Sequence, residues 1–229
     1  MYYERQEVLN LRVPERISVV GVGGVGTWVA IFCAMSGVPE IHLHDDDRIE
    51  VHNLNRLPFP PENITELKVE VVRDFIHSIR PDAVVFRHPL VTEDTIWLVS
   101  GVVFDCTDRF ATQRLVARYC AENELEYVRA GYDGTHISVG AFGAWATENA
   151  RDEGGYNIVP SWVVPASIVA ALAVAKAMKY PGLDIACDIG EIGGRSLSDT
   201  IRPSPRTQPE VPTGPLPPGV WSTRDMPRR

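Results

Sequence analysis

Residues 17–26 read Ile-Ser-Val-Val-Gly-Val-Gly-Gly-Val-Gly, a short apolar run that passes directly into a glycine-rich turn. A helical pattern follows from Trp28 to Ser36, and a second apolar run, Ile41 to Leu43, ends in three consecutive acids, Asp45, Asp46 and Asp47. A strand, a glycine turn, a helix, a strand and an acid in this order are typical of the first βαβ unit of a nucleotide-binding fold. The sequence therefore predicts an α/β domain with a Rossmann-like, doubly wound and mostly parallel sheet.

The glycine turn has the residues that a phosphate-binding loop needs. One glycine permits a tight turn, one lets the backbone approach a phosphate, and one lets the helix pack closely on the strand. The candidate phosphate contacts are Gly21, Gly23, Gly24 and Gly26. The alternative is a tight turn without a ligand. The turn alone does not distinguish NAD from ATP, because the ribose of either would use the acids that follow the second strand.

The residues after those acids favour ATP. Asp45-x-Asp47, Asn53 and Asn55-Arg56 resemble the D-x-D…N-L-N-R run of the ThiF/MoeB and ubiquitin-activating-enzyme superfamily. An enzyme that adenylates a carboxylate needs an arginine there, whereas a nicotinamide enzyme does not. The resemblance implies Asp45 at the ribose of ATP, Asp47 and Asn53 as further residues of the nucleotide site, and Arg56 at the phosphates.

A lysine follows at the spacing that this superfamily uses. Asn63 and Glu66 form a capping-box pattern, which predicts that a helix begins at Asn63. Lys68 lies in the first turn of that helix, and the resemblance implies that it holds the α-phosphate. A solvated surface lysine is the alternative.

The fourth predicted strand ends in Val-Phe-Asp-Cys-Thr-Asp at residues 103–108. Ligands of an open α/β sheet bind outside the carboxyl ends of its strands, and an acid there suits Mg²⁺ on a triphosphate. The phrase resembles the D-C-x-D-N motif of the superfamily, which implies that Asp108 binds Mg²⁺ while Asp105 orders the loop. The alternative for Asp108 is a helix-capping acid. Two departures from the motif are Arg109 in place of asparagine and Gln113, beside Arg114, in place of arginine.

One further expectation concerns the N-terminal residues. Residues 2–6 resemble the R-Y-x-R-Q opening of the superfamily, in which the arginine reaches the ATP of a partner subunit. The resemblance therefore implies a homodimer with Arg5 acting in trans, and a solvated terminal residue is the alternative.

His42 and His44 alternate on one strand without a third ligand from a second segment, so they are expected to be packed or surface histidines.

The four cysteines are Cys33, Cys106, Cys120 and Cys187, and they show no C-x-x-C pair. We therefore expect no structural zinc of the type that many MoeB-like enzymes carry, and a reducing cytoplasm. Residues 145–160 match in position the crossover loop that covers the adenylate in this superfamily, and they contain no cysteine either. Cys187 is the only candidate nucleophile, and its acidic neighbours would raise the pKa of its thiol. We expect the acyl-adenylate to be handed on without an obligatory thioester on this chain.

The bulk properties set the remaining limits. The chain has 229 residues and a net charge of −8, which fits one soluble α/β domain and disfavours nucleic-acid binding. No apolar stretch predicts a membrane span; the longest, Val163 to Met178, carries Lys176 and predicts a buried helix. Eight of the 18 prolines lie in residues 203–229, which predicts a disordered or polyproline-like tail.

The sequence thus predicts an α/β domain with helices on both faces of the sheet and a C-terminal antiparallel extension, and the resemblance implies that residues 1–202 form an adenylation domain. The resemblance implies ATP and Mg²⁺ as cofactors. It also implies, as substrate, the C-terminal carboxylate of a ubiquitin-like or sulfur-carrier protein, or of a peptide. A non-catalytic partner subunit of an activating enzyme and a Rossmann NAD dehydrogenase are the two alternatives.

Overall fold

The computed structural model describes residues 3–141 and 160–191 of the chain. These residues form one sheet whose seven strands are β1 Arg16–Val20, β2 Glu40–His44, β3 Val84–His88, β4 Val102–Asp105, β5 Tyr127–Asp133, β6 His136–Gly140 and β7 Ile185–Asp188. The spatial order is β3-β2-β1-β4-β5-β6-β7. The first five strands pair in parallel, and β5, β6 and β7 pair antiparallel. The predicted fold class is therefore confirmed.

The strand order reverses between β1 and β4, which lie side by side although the β2 and β3 units separate them in sequence. The glycine turn leaves the carboxyl end of β1, and Asp105 ends β4. Such a switch point opens a crevice at the carboxyl edge of the sheet, which is where ligands of this architecture bind.

The helices are α1 Glu4–Glu7, α2 Gly24–Met35, α3 Lys68–Ile79, α4 Phe110–Glu122 and α5 Val163–Met178. Apolar residues of α2, α3 and α5 pack with alternate residues of the central strands in the larger core. The other face of the sheet carries a smaller core in which Val116 of α4 packs near Val20 and Val103. Helices therefore cover both faces, and the helix at Val163–Met178 is buried along much of its length as predicted.

The predicted start of α3 at Asn63 is wrong. Asn63 ends a short 3-10 helix, and α3 begins at Lys68. The segment between them is a turn held against Ile49, whose N–H donates to the Glu66 carbonyl and whose carbonyl accepts from the Thr65 N–H. Thr65 has a φ of 78°, which an α-helix does not accommodate. Asn63 and Glu66 do contact each other, through Asn63 Nδ2 and Glu66 Oε2 at 3.3 Å, without capping α3.

The expectation that His42 and His44 lack a third partner is also wrong. His88 of β3 lies beside both of them, because the register of β2 and β3 places His44 opposite His88. The sequence did not show this, since the two strands are joined by a long connection and their pairing is a tertiary feature.

Three predictions fall on residues outside the described ranges: the crossover loop at 145–160 except its last residue, the end of the C-terminal antiparallel extension, and the proline-rich tail. Within the described ranges, no helix combines the length and apolar character needed to cross a membrane.

Candidate functional site

The glycine turn is tight at its first residue and closely packed at its last. Gly21 has a φ of 84°, and its N–H donates to the His44 carbonyl at 2.9 Å. A Cβ at Gly21 would lie 3.1 Å from atoms of both Cys106 and Thr107, so this turn touches the loop after β4. A Cβ at Gly26 would overlap the Gly21 carbonyl oxygen. Position 21 requires glycine for its positive φ, and position 26 requires it for the close approach of helix and turn, as in a phosphate-binding turn.

The middle of the turn faces open space instead. Gly23 is the N-cap residue of α2, and among the described residues no side chain caps the helix there and a Cβ on Gly23 would meet no atom within 4 Å. A Cβ on Gly24 would lie 2.8 Å from Cδ of Arg56, so the arginine stem crosses the start of α2. Uncapped helix amides beside an arginine are a favourable place for an anion.

Asp45 ties the glycine turn to the second strand. Its carboxylate is nearly buried, with 9% exposure, and accepts hydrogen bonds from the Val22 N–H at 2.6 Å and the Asp47 N–H at 2.8 Å. Burial raises the pKa of the Asp45 carboxyl, while the nearby Lys68 ammonium opposes this effect. Asp45 therefore shapes the turn in addition to any ribose contact.

Lys68 is a buried residue at the N-terminus of α3. Its Nζ forms an ion pair with Asp47 Oδ2 at 2.7 Å, and its own N–H donates to the Asp47 carbonyl at 3.0 Å. The Lys68 side chain is 11% exposed, whereas that of Asp47 is 64% exposed. The alternative of a solvated surface lysine is excluded, and Asp47 is the residue that orients this ammonium group.

Arg56 and Asn53 lie in the loop that follows β2. Arg56 Nη1 donates to the His52 carbonyl at 2.9 Å, and the Arg56 carbonyl accepts from Trp28 Nε1 at 3.0 Å. Asn53 is 5% exposed, and its Oδ1 accepts the Glu50 N–H at 3.1 Å in a capping box around residues 51–53. The contacts of Asn53 thus fold the loop that carries Arg56.

The loop after β4 separates two acids with different surroundings. Asp105 is fully buried; its Oδ1 accepts from the N–H and hydroxyl of Thr107, and its Oδ2 accepts from the Tyr127 hydroxyl at 2.7 Å. The prediction that Asp105 orders the loop is confirmed. Asp108 is exposed, and among residues 3–141 and 160–191 it makes no hydrogen bond or ion pair. The N-cap of α4 is Arg109, so a capping role does not explain Asp108.

Sequence reasoning missed three positioning contacts. Gln113 donates through Nε2 to the Thr107 carbonyl at 2.8 Å and so holds the loop after β4 from the side of α4. Asn55 donates through Nδ2 to the Ser161 carbonyl at 2.6 Å, and the Tyr132 hydroxyl contacts Ser161 Oγ. The contacts of Asn55 and Tyr132 with Ser161 join segments distant in sequence. Of the three contacts, only that of Gln113 had a signal in the sequence, namely a glutamine where the superfamily motif has arginine.

Arg5 lies at the other end of α2. It is an exposed residue of α1, and its neighbour Gln6 donates to the carbonyl of Ser36, directly after the end of α2. A helix of 12 residues spans about 18 Å at 1.5 Å per residue. Within one chain Arg5 is therefore remote from the glycine turn.

Among the described residues, the surroundings of the four cysteines do not activate a thiol. Burial raises the pKa of Cys33 and Cys106 strongly and that of Cys120 to about 12. The pKa of Cys187 is also raised, first by burial and then by Glu191 and Asp188. The prediction that acidic neighbours raise the pKa of the Cys187 thiol is confirmed.

Comparisons with known proteins agree with this arrangement. The model of the ThiF family matches residues 5–180. The tRNA threonylcarbamoyladenosine dehydratase of Haemophilus influenzae is 35% identical over 121 residues, which cover 50% of this chain and 46% of that protein. Ubiquitin-like modifier-activating enzyme 5 of Drosophila mojavensis is 30% identical over 138 residues, covering 53% and 35% of the two chains.

Among solved structures, Escherichia coli MccB with ATP has the same fold, with a TM-score of 0.63 at 21% identity over 77% of this chain and 62% of that one. The chain spans about half, or less, of the length of the two curated relatives.

Proposed function

Because the chain belongs to the ThiF family, we propose that it binds ATP with Mg²⁺ and transfers AMP to a carboxylate, releasing pyrophosphate. The observation that supports this most is the convergence of four features at one switch point. They are the open glycine turn at Gly23, the arginine stem of Arg56, the buried Lys68 and the exposed Asp108. A dehydrogenase would use the glycines and Asp45 but has no need of the other three residues.

The proposed reaction brings two anions together. A carboxylate oxygen attacks the α-phosphorus of ATP, and the bond from that phosphorus to the bridging oxygen breaks. Positioning and neutralisation of charge account for most of the catalysis in such a transfer. Arg56 and Lys68 neutralise phosphate oxygens, the α2 amides cradle them, and Asp45 holds the ribose. Asp47 keeps the Lys68 ammonium in place through their ion pair.

Mg²⁺ fits the donor set at the end of β4. The ion prefers oxygen ligands and is held in nucleotide sites by one or two carboxylates together with phosphates. Asp108 offers such a carboxylate, exposed and without a protein partner in the described part of the chain. When bound, the ion would offset the charge of the leaving pyrophosphate.

The proposed substrate is the C-terminal carboxylate of a ubiquitin-like or sulfur-carrier protein, or of a peptide. The name of the Drosophila relative supports a protein substrate. The name of the Haemophilus relative brings a tRNA-borne substrate as a second candidate. The net charge of −8 favours the protein, since a polyanion would be repelled.

The test is ATP–pyrophosphate exchange with candidate substrates, starting from small proteins that end in Gly-Gly and are encoded beside this gene. We expect exchange with the free C-terminus and none with the same protein carrying a C-terminal amide. Exchange that is equally fast with the amide, or that appears only with tRNA, would contradict a protein carboxylate as the substrate.

Cys187→Ala is expected to leave the exchange rate and the transfer of the acyl group unchanged. The thiol pKa of Cys187 is raised, so little thiolate is present at neutral pH. The measurement is intact-mass spectrometry of the chain after incubation with ATP, Mg²⁺ and the carrier protein. A thiol-labile adduct that maps to Cys187 and disappears in the variant would show that the chain forms a thioester.

Arg5→Ala is expected to lower exchange by about a hundredfold if Arg5 completes the site of a second copy. We propose a homodimer on this basis, because one chain does not bring Arg5 to the glycine turn. Mixing Arg5→Ala with Lys68→Met chains should restore activity to about a quarter of wild type. Half of the dimers would contain one chain of each kind, and one of the two sites in each such dimer would be intact.

The matched control for that experiment is Arg118→Ala, which removes another exposed arginine, bound to Glu93 at 2.9 Å. It should change neither the exchange rate nor the result of mixing. A monomer by analytical ultracentrifugation at micromolar concentration that is still fully active would remove Arg5 from the site.

A further inference from the structure

Three histidines lie together on the sheet face opposite α2, α3 and α5. His42 and His44 belong to β2, and His88 ends β3. The register pairs His44 with His88, so the three side chains project from the same face. The neighbouring Phe86 on that face is 44% exposed, so solvent reaches this edge of the sheet.

The ring nitrogens are close enough to share an ion. One candidate ligand atom from each histidine lies within 4.8 Å of the other two, and His42 Nδ1 is 2.9 Å from His88 Nε2. Zinc binds histidine nitrogens at about 2.0–2.1 Å, so two such ligands of a tetrahedral ion are roughly 3.3 Å apart. One pair is already near that separation, and the other pairs would close by at most roughly 1.5 Å through side-chain rotation.

Glu40 orients the first of these rings. Its Oε1 lies 2.7 Å from His42 Nε2, and the same carboxylate bonds to Arg16. The hydrogen bond from Arg16, followed by that from His42, lowers the pKa of Glu40, which is therefore a carboxylate. It accepts the Nε2 hydrogen of His42 and leaves the Nδ1 lone pair facing His88. A carboxylate behind a histidine in this way is common at metal sites.

His44 supplies an independent indication of a ligand. The residue is 1% exposed, and its Nε2 has no hydrogen-bond partner among the described residues. Buried polar atoms of native proteins nearly always have a partner, and an ion is one explanation for an exception. Burial, together with the two neighbouring histidines, lowers the pKa of His44 to about 3, so the ring is neutral and keeps a lone pair.

We propose that His42, His44 and His88 bind one divalent transition-metal ion of the Zn²⁺ class, with Glu40 orienting His42 and solvent in a fourth position. The imidazole set suits Zn²⁺ and Cu²⁺ better than Mg²⁺ or Ca²⁺, which prefer oxygen ligands. The ion would join the edge strand β3 to β2 beside Asp45. This site is separate from the zinc of C-x-x-C pairs and does not depend on the proposed adenylation activity.

The experiment uses the untagged full chain, stripped with a chelator and titrated with Co²⁺ as a spectroscopic probe for Zn²⁺. We expect saturation at one Co²⁺ per chain, visible absorption of a four-coordinate ion, and displacement by one equivalent of Zn²⁺. Glu40→Gln should weaken Co²⁺ binding about 10- to 100-fold. His42→Gln and His88→Gln remove a ligand each and should abolish the absorption.

The control is His136→Gln. It removes an exposed histidine of β6 that lies beside Asp188 and should leave the titration unchanged. Melting curves show whether each variant folds; the wild type and His136→Gln should gain thermal stability from Zn²⁺, Glu40→Gln should gain less, and His42→Gln and His88→Gln should gain none. The proposal is overturned if the wild type shows no saturable one-to-one binding. It is equally overturned if His88→Gln, folded by its melting curve, binds Co²⁺ as tightly as the wild type.

Discussion

Replacing Lys68 by methionine is expected to slow ATP–pyrophosphate exchange by more than about a hundredfold while the protein remains folded. The substitution keeps the apolar stem in its buried position and removes the ammonium group that we propose to face the phosphates. Losing one preorganised electrostatic contact of this kind typically costs about 10²–10³ in rate. Asp47 is left unpaired, but its side chain is 64% exposed and water can solvate it.

The chain contains a matched control for this variant. Lys176 is also 11% exposed and also pairs with an exposed aspartate, Asp184, at 3.1 Å. It belongs to α5, away from the glycine turn. Lys176→Met should therefore have a similar effect on the free energy of unfolding and little effect on exchange. Equal losses of exchange in both variants would mean that Lys68 acts through stability alone.

Asp108→Asn is expected to reduce exchange by about a hundredfold or more, because it removes the proposed Mg²⁺ ligand. Asp108 is exposed and unpaired in the described part of the chain, so the fold should be unaffected. Asp94→Asn, another exposed acid, is the control. The loss of exchange rate should shrink as the Mg²⁺ concentration is raised, since a weakened metal site is refilled by mass action. A loss that is independent of Mg²⁺ would argue against a metal role.

Gly26→Ala is expected to lower stability, whereas Gly23→Ala is expected to weaken ATP binding and leave stability nearly unchanged. The new Cβ at Gly26 would overlap the Gly21 carbonyl oxygen, so the turn or α2 must shift. Overpacking against backbone at such a site should lower the free energy of unfolding by about 3 kcal/mol. The Cβ at Gly23 meets no atom of residues 3–141 and 160–191 within 4 Å, so that variant should be nearly as stable as the wild type.

Urea denaturation and ATP titration together test this pair of variants. Gly23→Ala should unfold near the wild-type midpoint but bind ATP at least about tenfold more weakly, because its methyl group enters the space assigned to the phosphates. If Gly23→Ala binds ATP normally, the open space beside Gly23 is not the phosphate site. If Gly26→Ala is as stable as the wild type, the close approach of helix and turn does not constrain position 26.

The parts of the fold that the sequence predicted depend on local signals. The glycine turn, the strand before it and the helix after it are contiguous, and each has a periodicity or residue type of its own. Asp105 and Asp108 could be placed because the carboxyl ends of parallel strands meet at one edge. Neither inference required knowledge of which distant segments touch.

The remainder depends on tertiary contacts. The start of α3 at Lys68 follows from the pairing of residues 64–67 with Ile49, and this pairing overrides the capping pattern at Asn63. The burial of Lys68 and the approach of His88 to β2 likewise follow from which strands and loops become neighbours. A single sequence gives propensities for segments but not these long-range pairings.

The measurement that tests the central claim most directly is a calorimetric titration of the wild-type chain with ATP in the presence of Mg²⁺, and separately with NADH. We expect one ATP per chain, binding that weakens in Gly23→Ala, and no binding of NADH. Tight binding of NADH would make the chain a dehydrogenase, and failure to bind either nucleotide would make it a non-catalytic partner subunit. Either result would contradict the assignment of Gly23, Arg56, Lys68 and Asp108 to an adenylation site.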